Sequence, residues 1–355
     1  MSAGSLRIPA SMTGGQSVIQ DDAAAVVITT TSRLALLDAA RMVAAIGIVW
    51  VHAAQSDAGK LLYPMGTFGV PFYTFIAVLF MARALTRDDR KMTLGHYVFS
   101  RLGRVYVPFL FWSLIYALLL AFKHFVAGQP IVIPHWSIIY TGGHEHLWFL
   151  PYLMVVTVIG AVLVRLLQND SAARWLTVSV LVASGIFLCF IPEPAWIAQR
   201  AYDVETWRYA FRATPTVCWS LALALATSTG GRIPRSAPML AVGGAILMAL
   251  ALGLQHFYGS IKALRSLAGL GLVLIALMPL CSPLWERIGR LGRYSFGIYL
   301  SHVVFLRVIV LWADRYGWAP SLTLDVISFV IAFAGASVLS VLLHKSKYTR
   351  WTVGE

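Results

Sequence analysis

Charged residues are scarce in this chain. Asp, Glu, Lys and Arg together make up 12% of its 355 residues, whereas soluble domains contain roughly 25%. Hydrophobic residues reach 59%, a share that excludes both an ordinary soluble enzyme and a polar disordered protein. One bilayer crossing needs about 20 apolar residues, so the length leaves room for about ten spanning helices joined by short loops. The sequence therefore predicts an all-α, polytopic integral membrane protein.

Cysteine and acidic residues are also few. The three cysteines, Cys189, Cys218 and Cys281, lie in apolar runs without the spacing of a metal site or a disulfide framework, which predicts ordinary core residues. The chain has 15 acidic and 28 basic residues, giving a formal net charge of +13. In a chain this hydrophobic, basic residues typically fix the orientation in the bilayer, so we expect no nucleic-acid partner.

Apolar stretches recur along the chain and predict where the spans lie. They cover residues 34–54, 67–85, 105–125, 147–167, 175–191, 214–229, 238–257, 266–285, 294–312 and 323–343. Residues 1–32 are rich in Ala, Ser, Thr and Gly and have no long apolar core, so we expect a disordered tail there and no signal peptide. The predicted organisation is a tail at 1–32, a transmembrane domain at 33–345 and a second tail at 346–355.

The distribution of Lys and Arg predicts which ends face the cytoplasm, because cytoplasmic loops carry an excess of both. If the N-terminus is inside, 17 of the 28 basic residues lie in inner segments and 8 in outer segments. The other three, Arg41, Arg83 and Arg307, lie within predicted spans. We therefore expect both tails to be cytoplasmic.

Ionisable residues within a span are unfavourable unless they line a cavity or find a partner, and the first span holds the clearest set. Asp38 and Arg41 are three residues apart and can pair. Arg41 and His52 are eleven apart, which places them on one helix face about 16 Å apart along the axis. This face could line a tunnel. The alternative is an interfacial Asp38–Arg41 ion pair with His52 extending to the outer boundary.

Arg101 and Arg104 form a second polar cluster, at the predicted cytoplasmic edge of the third span. Three residues apart on an α-helix, they share a face, where two guanidinium groups could bind phosphates. The alternative is that both arginines only anchor the span on the cytoplasmic side.

Two more polar clusters enter predicted spans. Residues 144–146 read His-Glu-His, which is compatible with a solvated loop, and the spacing matches no common metal-binding pattern, so we expect no metal site. Ser295, Tyr299 and His302 are spaced at i, i+4 and i+7, which predicts one polar face on the ninth span. That face indicates either a lined pore or a structural ladder of hydrogen bonds between helices.

These segments, taken in order, resemble the membrane-bound acyltransferase 3 family, which transfers acyl groups to sugars and other acceptors. The matching motifs are Leu-Asp-x-x-Arg-x10-His at 37–52, Gly-Val-Pro-Phe at 69–72, Arg-x-x-Arg-x-Tyr-x-Pro at 101–108, His-Leu-Trp-Phe-Leu at 146–150 and Ser-x3-Tyr-Leu-Ser-His at 295–302. The resemblance extends from about residue 34 to residue 343. One departure is Thr-Phe-Ile-Ala-Val at 74–78, where many members have a run like Leu-Ser-Gly-Phe.

The resemblance implies ten transmembrane helices, cytoplasmic acyl-CoA (usually acetyl-CoA) as the donor, and an acceptor met within the membrane or on its far side. The implied catalytic candidates are His52, Arg41, Glu145, His146, Tyr299 and His302. The implied donor-binding candidates are Arg41, Arg101, Arg104, Tyr106 and Trp148. His52 would be the general base, since an unperturbed imidazole pKa of about 6.5 suits that task, with a covalent acyl-histidine as a variant. Arg41 would bind donor phosphate or stabilise developing charge.

We therefore expect an O-acetyltransferase of the bacterial inner membrane that modifies a glycan, such as an exopolysaccharide or its lipid-linked precursor. The main alternative is a secondary transporter in which Arg41, His52 and His302 relay protons or anions, although the sequence has no visible internal repeat of the kind that favours one. A scaffold for polysaccharide export would need none of these polar residues. His52 and Asp57 also resemble the His-x4-Asp pair of glycerolipid acyltransferases, whose other motifs are not evident.

Overall fold

A computed structural model of the chain describes residues 35–86, 92–130, 135–195, 202–228, 237–259, 261–278 and 282–355. The predicted N-terminal tail at 1–32 and the residue Cys281 lie outside these ranges. The described residues form α-helices joined by short 3₁₀ and π turns, and they include no β-strand. The prediction of an all-α protein is therefore confirmed.

The helices are α1 (Ala35–Ala53), α2 (Asp57–Leu61), α3 (Gly69–Thr86), α4 (Leu94–Arg101), α5 (Val107–Val126), α6 (Ile138–Thr141), α7 (Phe149–Leu167), α8 (Ser171–Phe190), α9 (Tyr202–Thr227), α10 (Ala237–Tyr258), α11 (Lys262–Ala276), α12 (Pro283–Gly292), α13 (Ser295–Tyr316) and α14 (Leu322–Lys345). A π turn, Leu102–Tyr106, joins α4 to α5, and 3₁₀ turns occupy Tyr63–Gly66, Glu145–Trp148 and Arg350–Val353. Within the described ranges, eight helical segments are long and apolar enough to cross a membrane. The chain is a multi-pass membrane protein.

Two of the ten predicted spans differ from the helices found there. The sixth, predicted at 214–229, belongs to α9, which begins at Tyr202 and carries charged residues in its first half. The eighth, predicted at 266–285, is the shorter α11, and its predicted end is wrong because Pro283 begins α12. Proline is favoured in the first turn of a helix, where its missing N–H has no intrahelical partner to lose.

Helix α1 lies at the centre of the bundle, in contact with α3, α11, α12, α13 and α14. Small residues permit this close packing. A side chain on Gly292 of α12 would collide with the backbone of Asp38, and Gly47 lies against Gly66 of the first 3₁₀ turn. In contrast, α8, α10 and α14 expose most of their apolar side chains, such as Phe187 and Phe257, as expected of lipid-facing helices.

The segment after α14 packs against the helices. The indole Nε1 of Trp112 in α5 donates a hydrogen bond to the carbonyl oxygen of Thr352, at 3.0 Å. Gly354 has φ +84°, and a side chain there would lie 2.7 Å from the carbonyl oxygen of Arg104. Residues 346–355, predicted to be a tail, thus end beside the π turn that carries Arg104.

Candidate functional site

Three histidine rings meet at one end of the bundle. His52 lies in the last turn of α1, His146 in the 3₁₀ turn Glu145–Trp148 and His302 in α13. The ring centroid of His302 is 5.2 Å from that of His52 and 5.2 Å from that of His146, and the centroids of His52 and His146 are 6.1 Å apart. Tertiary packing thus brings three of the predicted catalytic residues into one cluster, here called the histidine cluster.

Two glycines allow the loop before His146 to approach α5. Gly142 has φ +88°, a conformation that favours glycine. A side chain on Gly143 would collide with the carbonyl group of Ser113 in α5. This close approach places the rings of His144 and His146 against Tyr116 of α5, with centroid distances of 5.3 and 5.0 Å.

Hydrogen-bond partners assign the protons of the His144–His146 pair. The guanidinium of Arg307 can only donate, and its Nη2 lies 2.9 Å from Nε2 of His144, so that nitrogen accepts. The proton of a neutral His144 ring is therefore on Nδ1, which lies 3.0 Å from Nδ1 of His146. His146 accepts at this contact and so carries its own proton on Nε2.

The His144 ring is neutral at pH 7. Burial, assisted by the positive charge of Arg307, lowers the pKa of His144 to about 3. The hydrogen-bonded series Arg307–His144–His146 is here called the relay. At its end, Nε2 of the buried His146 has no hydrogen-bond partner among the described residues. A buried N–H without a partner is rare in proteins, which makes this atom a candidate hydrogen-bond donor for a ligand.

Tyr299 and His302 fix the other side of the histidine cluster. The hydroxyl of Tyr299 donates a hydrogen bond to the carbonyl oxygen of His146. Nδ1 of His302 lies 2.8 Å from the carbonyl oxygen of Tyr299, which can only accept, so a neutral His302 ring has its lone pair on Nε2. All three side chains of the predicted polar face, at 295, 299 and 302, are buried. Through Tyr299 this face connects α13 to the 3₁₀ turn at 145–148.

A cavity of about 150 Å³ opens beside the histidine cluster. Its walls come from the end of α1, the segment 63–71, the 3₁₀ turn at 145–148, α9, the start of α11, and α13. The predicted site residues that line it are His52, Glu145, His146, Trp148 and Tyr299. The Trp148 ring stacks on Tyr209 of α9, with 5.6 Å between centroids, and both rings form part of the wall.

Arg41 lies elsewhere, toward the other end of α1. Its Nη1 is 2.7 Å from Oδ1 of Asp38, which confirms that these two residues pair, and its guanidinium lies 5.6 Å from the centroid of the Phe80 ring. Arg41 is not among the described residues that line the cavity. The cavity therefore does not form the predicted tunnel between Arg41 and His52.

Arg101, Arg104 and Tyr106 also lie outside the cavity lining. Nε of Arg101 donates to the hydroxyl of Tyr97 at 3.0 Å, whereas Arg104 is exposed within the π turn. A π turn contains more residues per turn than an α-helix, so the shared-face argument for Arg101 and Arg104, which assumed a regular α-helix, does not apply there. The hydroxyl of Tyr106 donates to the carbonyl oxygen of Ile139 at 2.9 Å.

The structure separates His52 from Asp57. Helix α1 ends at Ala53, and the fully exposed Asp57 carboxylate lies 3.4 Å from Nζ of Lys60. The two side chains therefore do not form the catalytic pair that the His-x4-Asp spacing suggested. Among the described residues there is also no group of three or more His, Cys, Asp or Glu residues arranged to hold a metal ion.

Sequence reasoning missed several residues of the site. Arg212, Lys262 and Arg265 line the cavity but had counted only toward topology, and Arg307, which orients His144, had been noted only as lying within a span. Their positions in the sequence were the available signal. Arg212 directly precedes the sixth predicted span, and Arg307 lies in the middle of an apolar span, where an ionisable group is a functional candidate by default.

Comparison with known families gives one match. A family model described as an acyltransferase domain, of the acyltransferase 3 type, matches residues 34–345. A comparison with curated proteins found no match. The matched range contains every residue of the histidine cluster and of the cavity lining.

Proposed function

The chain belongs to the acyltransferase 3 family, and from this premise we propose that it transfers an acetyl group from cytoplasmic acetyl-CoA to a hydroxyl group of a glycan. The observation that supports a reaction centre is the histidine cluster at the wall of the cavity. It combines His52 on α1, a buried imidazole N–H at His146 and a third histidine, His302, next to both. A proton acceptor, a hydrogen-bond donor and a space for substrate are the elements that acyl transfer requires.

His52 is the proposed general base. It lines the cavity and no carboxylate pairs with it in the described structure, so a neutral ring offers one nitrogen lone pair to an acceptor hydroxyl. His52 removes the hydroxyl proton as the oxygen attacks the acyl carbonyl carbon. General-base catalysis by a positioned histidine typically contributes about 10²–10⁴-fold to the rate.

His146 is the proposed stabiliser of the negative charge that forms on the acyl oxygen. The tetrahedral intermediate carries an oxyanion, and the Nε2–H of His146 is a donor without a protein partner in the described residues. A donor held in place before the reaction is more effective than water, because it does not have to reorient. The hydroxyl of Tyr299, bonded to the His146 carbonyl oxygen, holds this turn in position.

Collapse of the intermediate completes the reaction. The carbon–sulfur bond breaks, the carbonyl double bond re-forms, and the coenzyme A thiolate takes the proton from His52, giving the ester and free thiol. While it carries the proton, the His52 imidazolium lies beside His302, whose Nε2 lone pair stabilises a positive neighbour. The guanidinium of Arg307 is engaged with His144.

The donor's nucleotide portion is proposed to bind at the opposite end of the bundle. Arg41 lies about 16 Å from His52 along α1 by helical rise, and the exposed Arg104 occupies the same end as Asp38 and the chain's C-terminus. Under the predicted topology this end faces the cytoplasm, where acyl-CoA is found. The acyl end of the donor would then reach the histidine cluster from the side away from the acceptor. The proposed location of the protein is the bacterial inner membrane.

The test is acetyl-CoA consumption by the detergent-purified protein, with a mixture of exopolysaccharide oligosaccharides as acceptor. His52→Ala should lower the rate by about 10²–10⁴-fold and leave the size-exclusion profile unchanged. His256→Ala is the matched control, since His256 is an exposed histidine in the last turn of α10. Near-normal acetyl transfer by His52→Ala would contradict the proposal, and a transporter would consume no acetyl-CoA in any variant.

A further inference from the structure

Basic side chains from two helices, α9 and α11, line one part of the cavity wall. Arg212 of α9 and Lys262 and Arg265 of α11 line the cavity that contains His52, and also an adjoining cavity bounded by Glu193. Arg208 of α9 lies 3.7 Å from the Glu193 carboxylate. These four cations and Glu193 are here called the basic corner.

Among the described residues, cations outnumber carboxylates in the basic corner. Glu193 is its one carboxylate among the described lining residues, and it accepts a hydrogen bond from Arg212, which lowers the pKa of Glu193 and keeps it ionised. The described lining of the adjoining cavity therefore contains three cationic side chains, those of Arg212, Lys262 and Arg265, and one carboxylate. The other cavity-lining carboxylate, Glu145, is exposed and belongs to the turn that carries His146.

Local contacts hold these cations in place. Nζ of Lys262 donates to the carbonyl oxygen of Ile191 at 2.9 Å and lies 4.1 Å from the centroid of the Phe211 ring. Lys262 and Arg265 occupy the first turn of α11, where the backbone N–H groups add to the positive potential. Charges that only anchored a helix in the membrane surface would face water or lipid headgroups, whereas Arg212, Lys262 and Arg265 line a cavity.

We propose that the basic corner binds an anionic group of the acceptor, a carboxylate or a phosphate, and so presents a nearby acceptor hydroxyl to His52. This inference rests on the proposed function. Its supporting observation is continuity: one cavity is lined by the basic corner on one side and by His52 and the unpartnered His146 N–H on the other. An acidic sugar or a diphosphate-linked glycan has both the anion and the hydroxyl that this arrangement requires.

The opposite assignment, to the donor's phosphates, is less compatible with the geometry. The basic corner lies at the end of the bundle where α1 ends, whereas Arg41 and Arg104 lie at the other end. If both ends held donor phosphates, the cavity would leave no separate entrance for the acceptor. Substitutions in the basic corner therefore distinguish the donor's phosphates from an anion of the acceptor, because only the ligand that binds at the corner should lose affinity.

The experiment is isothermal titration calorimetry on the detergent-purified full chain with four probes: methyl β-D-glucuronide, methyl β-D-glucoside, inorganic pyrophosphate and acetyl-CoA. The wild-type protein should bind the glucuronide or the pyrophosphate, and should bind the uncharged glucoside at least tenfold more weakly than the better of the two. Lys262→Gln and Arg265→Gln should each weaken the binding of that anion at least tenfold, while the affinity for acetyl-CoA stays within twofold of the wild-type value. Arg315→Gln, an exposed arginine at the end of α13, is the control and should change none of these affinities.

Each outcome bears on the proposal. Preference for the glucuronide identifies a sugar carboxylate as the anion, and preference for pyrophosphate identifies a lipid-linked diphosphate. The proposal would be overturned by the wild-type data alone if the protein bound neither anion. It would also be overturned if the protein bound the glucuronide and the glucoside equally well and did not bind pyrophosphate. A loss of acetyl-CoA affinity in the α11 variants would assign the corner to the donor instead. Acetyl transfer that depends on His52, measured separately, keeps failure of this inference distinct from failure of the proposed function.

Discussion

His146 takes its chemical character from neighbours that are distant in sequence. An isolated neutral histidine carries its proton on either ring nitrogen, whereas here Arg307 fixes the acceptor nitrogen of His144, and His144 then fixes that of His146. The hydrogen-bonded chain fixes the proton on Nε2 of a cavity-lining residue that would otherwise be an ambiguous donor or acceptor. Arg307 and His144 are thus positioning residues for His146, in the way that a second group orients a catalytic imidazole in other enzymes.

Breaking the relay at His144 should lower turnover without weakening substrate binding. In His144→Leu, His146 loses its Nδ1 partner and no longer favours the Nε2–H form, so we expect kcat to fall about 10- to 100-fold, less than the 10²–10³-fold typical when an oxyanion donor is removed. His144→Gln should retain most of the activity, because its carboxamide can accept from Arg307 and donate to His146. Steady-state kinetics with varied acetyl-CoA concentration would measure kcat and KM for each variant.

The comparison between the two variants separates positioning from packing. A leucine and a glutamine fill similar space, so a residue that only packs against Tyr116 would give equal kcat values in both. Equal activity in the two variants, whether high or low, would contradict the relay. A rise in KM with unchanged kcat would instead indicate that His144 contributes to substrate binding.

Residue types were predictable here, but hydrogen-bond partners were not. The spacing of Arg41 and His52 on one span, and of Ser295, Tyr299 and His302 on another, follows from helix geometry alone. The meeting of His52, His146 and His302 depends on how α1, the 3₁₀ turn at 145–148 and α13 pack, which no local pattern contains. The His144–Glu145–His146 run was ambiguous for the same reason, since its neighbours come from α5 and α13.

At the scale of elements, α14 fixes the end of α1. The buried carboxylate of Asp325, in the first turn of α14, accepts hydrogen bonds from the backbone N–H groups of Gln55 and Ser56 and from the Ser56 hydroxyl. These groups follow His52 by three and four residues. Gly59 permits the approach, because a side chain there would collide with the Asp325 carboxylate. The turn after α1, and with it the position of His52, is therefore held by a carboxylate from a helix 270 residues later.

Asp325→Ala should destabilise the protein and displace His52. The substitution removes the acceptor of three donors, of which the two on Ser56 are buried, at about 1–3 kcal/mol for each group that stays buried and unsatisfied. We expect the apparent unfolding temperature in detergent to fall by about 5 °C or more, since 1 kcal/mol corresponds to about 2–4 °C in a chain of 150–250 residues. Asp325→Asn should lose less, because the amide oxygen still accepts. The exposed Asp314, at the end of α13, gives the control Asp314→Ala, and equal unfolding temperatures for the two alanine variants would refute this role.

Span boundaries were predictable for α1, α3 and α7 and failed for α9, whose first turns carry charged residues. Helices α1, α3 and α7 follow their apolar runs closely. Helix α9 begins well before its apolar run, and Arg208 and Arg212 of the basic corner lie on these earlier turns. Hydropathy assigns such charged turns to loops, since it cannot register that their side chains face a cavity and a partner carboxylate.

At the scale of the whole molecule, the two ends of the bundle differ in chemistry. One end carries the Asp38–Arg41 pair, the Arg104 turn and the docked C-terminal segment. The other carries the histidine cluster and the basic corner. A two-ended arrangement suits a reaction whose donor and acceptor are found on opposite sides of a membrane, because each substrate meets its own set of charges before the reactive groups meet.

The last prediction assigns these ends to the two sides of the membrane. The excess of Lys and Arg, 17 against 8, places the C-terminus and Arg104 in the cytoplasm and the end of α13 in the periplasm. Single-cysteine proteins would test this after replacement of Cys189, Cys218 and Cys281 by alanine. In intact cells a membrane-impermeant maleimide should label Arg315→Cys but not Tyr348→Cys, and both should react once the membrane is permeabilised, since both positions are exposed in the fold. Labelling of Tyr348→Cys alone in intact cells would invert the topology, placing the basic corner in the cytoplasm and making it the entrance for the anionic donor.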